Sequence, residues 1–180
     1  MKKITHILAG IVLFVSAGLF VLAVVFRVSG IYYNHTPSFP LGFYKIVDEP
    51  AGRGAYVSFC PPQDAVFDMA VARHTIGTGS CPGGYGMLLK RVFAQAGDTV
   101  SIGRAGIVVN GELLPNSAQI SADIDGLELP QYRLREKILN DSEFLLVSDL
   151  NPNSFDARYF GLIAHAQIRH VVEPVFTWDH

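Results

Sequence analysis

Met87-Leu88-Leu89-Lys90-Arg91-Val92-Phe93-Ala94 lies between Gly86 and Gly97, and its length and flanks predict a β-strand. Side chains alternate across a strand, so Leu88, Lys90 and Val92 share one face and Leu89, Arg91 and Phe93 the other. A lysine therefore stands between two apolar neighbours. It either snorkels its ammonium out along the strand or is buried, and burial disfavours the charged form. Further on, Ile107-Val108-Val109, Asn110-Gly111 and Glu112-Leu113-Leu114 predict a hairpin. A type I′ turn needs positive φ at both central residues, which Asn-Gly supplies.

Residues 43–47 and 55–59, rich in aromatic and β-branched side chains, read as strands flanking a turn at 48–54. Residues 143–147 and 167–176 close the chain as strands. Residues 65–72 carry apolar side chains at helical spacing, with alanines that favour a helix. Residues 75–86 hold five glycines and one proline and must form a loop. Residues 116–131 are polar and irregular, a surface loop, and 132–140 has no decisive pattern. The expected fold is mainly β, with a short helix and a flap in an insert between Cys60 and Cys81. Those cysteines read as a disulfide or as two buried thiols. A zinc site lacks both the CxxC spacing and the four ligands it needs. A bridge closing a loop of about 20 residues stabilises by roughly 3 kcal/mol in the chain-entropy model.

Residues 7–26 are 20 consecutive uncharged residues, with Lys2 and Lys3 before them and Arg27 after. An α-helix of that length spans a hydrocarbon core of about 30 Å, whereas the apolar region of a cleaved signal is usually about 7–15 residues. The stretch reads as a retained anchor, and the positive-inside rule puts its N-terminus in the cytoplasm. The chain thus divides into a cytoplasmic tail and anchor, residues 1–28, and an exported body, residues 29–180. In a bacterium this is a single-pass inner-membrane protein with a periplasmic domain. Ile31-Tyr32-Tyr33 fits an interfacial aromatic belt. With 14 basic and 16 acidic residues and a net charge of −2, nothing favours binding to nucleic acid.

In Thr36-Pro37-Ser38-Phe39-Pro40-Leu41-Gly42-Phe43-Tyr44 two prolines brace one serine, so Ser38 is either a stiffly held nucleophile or an ordinary turn residue. It needs a base. Of Lys45, Lys90 and Lys137 in the exported body, only Lys90 falls on a buried strand face, where its pKa can drop from about 10.4 towards 7–8. In Asn151-Pro152-Asn153-Ser154-Phe155-Asp156-Ala157-Arg158, the residues Ser154, Asp156 and Arg158 alternate and share a face if the segment is extended. They form either an orienting group, with Asp156 paired to Arg158, or a solvated turn with a surface ion pair. His35 lies too close to Ser38 in sequence for an easy hydrogen bond. His165 and His170 are five apart in a strand-like stretch and face opposite sides, so no metal or cofactor is expected.

The segments at 36–44, 90–100 and 153–161, in this order behind a single anchor, resemble the conserved boxes of the Ser/Lys signal peptidases. The likeness is greatest to the conjugative-transfer, TraF-type branch of that family. It implies a β-rich signal-peptidase-like domain with Ser38 as nucleophile and Lys90 as general base. Ser154 would orient Lys90, Asp156 would be essential, and Arg158 would pair with Asp156. Thr36 Oγ would join the Ser38 N–H in an oxyanion hole. Phe39 departs from the methionine usual after the nucleophile. The function implied is a membrane-anchored serine endopeptidase that processes an exported conjugative pilin precursor, with head-to-tail cyclisation as a further hypothesis. Its partners would be that precursor, the inner membrane and components of the conjugative type IV secretion system. The rival readings are a general leader peptidase and a non-catalytic periplasmic pilus-assembly factor.

Overall fold

The uncharged run at 7–26 forms the middle of helix α1 (Lys2–Val28), long and apolar enough to cross a membrane, with a mean hydropathy of 2.8 over His6–Phe26. The computed structural model describes residues 2–178. After α1 come β1 (Ile31–Asn34), β2 (Leu41–Val47), β3 (Tyr56–Phe59), α2 (Ala65–Ala72), β4 (Leu88–Ala94), β5 (Thr99–Gly103), β6 (Gly106–Val109) and β7 (Glu112–Leu113). The chain continues through β8 (Leu134–Ile138), β9 (Glu143–Val147), α3 (Ala157–Phe160), β10 (Ile163–Ala164) and β11 (Ile168–Trp178).

Two antiparallel sheets carry the body. The larger runs β1-β2-β11-β3-β4-β9-β10 and the smaller β7-β6-β5-β8. Although β2 and β3 follow one another in sequence, the last strand lies between them. Gly42 shows how closely: a side chain there would run into the backbone of Phe176 and Thr177, where β11 bulges. The Asn110-Gly111 turn has both φ angles positive, at 52° and 87°, as the type I′ reading requires. Asn110 Nδ2 donates to Asp98 Oδ1, and the other Asp98 oxygen accepts from the Gln95 N–H. The turn after β4 is thereby tied to the hairpin. The patternless stretch at 132–140 contains β8, which pairs with β5.

The main core lies between the sheets and includes Val57, Phe59, Val92, Val100, Ile107 and Leu146. A smaller cluster of Phe39, Tyr44, Leu89 and Val172 fills the opposite face of the large sheet, so β4 is covered on both sides. Asp64 caps α2, its carboxylate accepting from the Val66 N–H at 3.1 Å. A disulfide joins Cys60 to Cys81, closing the insert. The tyrosine hydroxyl of Tyr85 in the flap donates to Asp68 of α2 at 2.5 Å.

The expected belt at 31–33 takes a different form. Tyr32 is half-buried against the smaller core cluster, while the exposed Tyr33 joins Phe43, Phe176 and Trp178 in an aromatic patch that Phe26 of α1 also touches. Alternation in the short strand sends neighbouring tyrosines to opposite faces. His165 lies in a 3-10 turn before β11 rather than in a strand.

Candidate active site

The segment between β1 and β2 carries Ser38, and one buried side chain holds its shape. Asn34, 1% exposed, donates through Nδ2 to the carbonyls of Thr36, Phe39 and Pro40 at 3.1–3.2 Å. Its Oδ1 accepts from both the N–H and the hydroxyl of Thr36, at 3.2 and 2.9 Å. Asn151 Nδ2 donates to the Pro37 carbonyl at 2.9 Å, and Ser148 Oγ to that of Ser38. Phe39 points away from the cleft, buried edge-on against Tyr56. The Ser38 N–H has no acceptor among the described residues.

Lys90 projects from β4 to this segment. Its Nζ lies 2.9 Å from Ser38 Oγ and 2.9 Å from Ser154 Oγ, and the two hydroxyl oxygens are 3.0 Å apart. Lys90 is 3% exposed, so the snorkelling alternative fails. Lys45 is exposed and Lys137 pairs with Glu143. Burial pushes the Lys90 ammonium down to about 8; the Asp156 charge opposes that shift and the Arg158 charge adds to it.

The third segment is not extended. Residues 151–154 form a turn, and Asp156 caps α3 by accepting from the Arg158 N–H at 3.1 Å. This turns Ser154 towards Lys90 and Asp156 inward. Asp156 and Arg158, both 0% exposed, form a two-pronged ion pair, Nε to Oδ1 at 2.7 Å and Nη2 to Oδ2 at 2.8 Å. The reading of a surface pair is therefore overturned. Arg158 also donates to the carbonyls of Asn116, Pro152 and Ser154. Burial alone would lower its pKa, but the hydrogen-bonded carboxylate outweighs that and raises it. Asp156 makes no hydrogen bond to Lys90. It reaches the site through Ser148, whose N–H donates to Oδ2 at 3.0 Å.

Sequence reading missed Asn34 and Ser148. An Asn just before a Thr-Pro-Ser turn is a signal that could have found the first, because Asn side chains bond to nearby backbone. Nothing in the sequence marks Ser148.

Beside the Ser38–Lys90 contact runs a cleft of about 290 Å³, walled by residues 32–38 on one side and by the flap with residues 86–90 on the other. β9 pairs with β4 only from Arg91 onward, so Leu88–Lys90 keeps an open strand edge towards the cleft. No cluster of His, Cys, Asp or Glu suited to a metal occurs among the described residues.

Residues 3–178 match the family of signal peptidases, peptidase S26, and the chain belongs to it. It is 47% identical to a plasmid transfer protein TraF from Escherichia coli, over 98% of this chain and 99% of that one. A second protein of that name from Escherichia coli is 49% identical over 83% and 85%. A probable conjugal transfer protein TraF from Sinorhizobium fredii is 33% identical over 83% and 78%. A signal peptidase I from Enterococcus faecalis is a distant structural likeness, at 15% identity and a TM-score of 0.38, covering 69% of this chain and 97% of that one.

Proposed function

We propose that the chain is a membrane-anchored serine endopeptidase that cuts an exported conjugative pilin precursor through an acyl-enzyme. The observation that carries this is the 2.9 Å contact between Lys90 Nζ and Ser38 Oγ, where burial brings the lysine to about 8. In the neutral form Nζ has a lone pair for the Ser38 proton. Ser38 Oγ attacks the peptide carbonyl and the proton passes to Nζ; the leaving amine takes it as the C–N bond breaks. Water, or a peptide amine, then attacks the acyl carbon, gives its proton to Nζ, and Oγ leaves and recovers it. The Ser38 N–H is a free donor for the oxyanion. The Thr36 hydroxyl must turn from Asn34 Oδ1 to add a second. Ser154 holds Nζ in line, and Asp156, Arg158 and Ser148 position the segment carrying Ser38 rather than touching substrate. The cleft takes an extended chain along the open edge of β4.

The relatives' names support a place in conjugation for the chain itself; a pilin precursor and secretion-system components are the partners we propose for it there. The family supports membrane attachment, and the patch of Tyr33, Phe43 and Trp178 at the end of α1 suits the headgroup region. We place residues 29–180 on the periplasmic side, with 1–28 as tail and anchor.

The test uses full-length protein in detergent with the pilin precursor. Ser38→Ala abolishes processing while the protein stays folded and anchored. For wild type, the rate rises about tenfold per pH unit below the Lys90 value and levels off above pH 8. Unchanged processing in Ser38→Ala would favour the assembly-factor reading. A mature pilin found by mass spectrometry to be linear, with free ends, would remove cyclisation.

A further inference from the structure

A second cavity, of about 500 Å³, opens between the C-terminal end of α2 and the 120–129 loop, and Pro37 lines it. Thr75 and Phe155 border both this cavity and the cleft holding Ser38 and Lys90, so the two lie side by side around the segment that carries the nucleophile. A chain whose scissile carbonyl reaches Ser38 Oγ must leave the nucleophile in two directions. The strand-edged cleft suits the acyl half, which has to stay bound through the second half-reaction. The other cavity has no strand edge among its lining residues and suits the half that departs.

Its chemistry fits that half. Asp123 Oδ1 accepts from the Asp125 and Leu127 N–H groups, folding a turn that carries Ile124 at its tip. Ile124 is 88% exposed, the most exposed large apolar side chain among the described residues. Arg73 lies 3.7 Å from Asp123 and donates to the Glu128 carbonyl, whereas Asp125 has no cation within 4 Å among the described residues. We propose that this cavity holds the polypeptide on the leaving-amine side of the scissile bond. An apolar side chain packs against Ile120, Ile124 and Tyr159, and the ammonium released by cleavage faces Asp125. The inference rests on the endopeptidase reading above. An amine that resolves the acyl-enzyme approaches from where the first amine left, so the same cavity admits it.

The test is photo-crosslinking in full-length Ser38→Ala protein with the pilin precursor, a benzophenone amino acid replacing Ile124 or, separately, Met87 of the cleft. The wild-type products define the cut. The probe at 124 forms adducts with residues after the cut, and the probe at 87 with residues before it. Adducts from 124 to residues before the cut, or from 87 alone, overturn the proposal. Adducts from neither overturn it together with the precursor as substrate. In the wild-type background Ile124→Asp lowers kcat/KM about fivefold through KM, with the pH midpoint unmoved; an unchanged KM counts against the proposal.

Discussion

Lys90 and Arg158 are both cations taken out of water, at 3% and 0% exposure, and their surroundings treat them in opposite ways. Arg158 has a carboxylate at 2.7–2.8 Å and backbone carbonyls around its remaining N–H groups, so its charge is held and its pKa raised. Lys90 has two hydroxyls and no carboxylate within hydrogen-bonding reach, and burial lowers it to about 8. A buried cation with a counterion braces the fold. Without one it gives up its proton more readily, at a cost to stability.

The largest effect expected from breaking this contrast is on chemistry. Lys90→Ala should lower kcat for precursor cleavage at least about 10³-fold, leaving Ser38 without a base. Single-turnover assays at pH 8 measure it, and a loss under tenfold would mean another group takes the proton. Next comes Asp156→Asn, which leaves the buried Arg158 charge unpaired and should destabilise by about 3–5 kcal/mol. Thermal unfolding of the detergent-solubilised protein reads this out; a transition near that of wild type would show that Arg158 finds another partner or water.

Lys90→Met sharpens the contrast through pH. The folded-state value of about 8 lies below the ordinary 10.5, so the folded protein binds its lysine proton less tightly than the unfolded chain does. Stability of the wild type therefore rises with pH between about 8 and 10.5, and the full cost, about 3 kcal/mol, is present below 8. Lys90→Met should be more stable than wild type by up to that amount below pH 8, with the advantage gone above 10.5. Melting curves across this range, with Lys45→Met as the exposed control, would show a pH-independent difference if Lys90 were not dehydrated. The smallest effect is Asn34→Ala, about 1–2 kcal/mol, from leaving buried carbonyls and the Thr36 hydroxyl without partners. The pH midpoint should stay at that of Lys90 while kcat falls; a shifted midpoint would mean Asn34 also sets the dryness of the lysine.

Much of the fold was readable because its signals are local. A 20-residue uncharged run, an Asn-Gly turn between β-branched strands and a Gly-rich flap each act through nearby backbone. The candidate site was readable in parts: the prolines mark Ser38, and alternation in β4 marks Lys90. The third segment misled, because Ser154, Asp156 and Arg158 share a face only in an extended chain, and capping of α3 by Asp156 bends it into a turn. Asn34 and Ser148 were missed because their partners are defined by loop shape and by contacts across the chain. Ser148 meets Ser38 across 110 residues.

By itself the sequence determined the apolar helix, the β-rich body and which residue types were available for chemistry, since propensity, periodicity and turn geometry depend on neighbours in the chain. Only the tertiary structure decided that Lys90 meets a hydroxyl 52 residues away. It alone set β11 between β2 and β3 and buried one cation with a carboxylate and another without. Dehydration and long-range pairing depend on everything packed around a group, and no stretch of sequence carries that by itself.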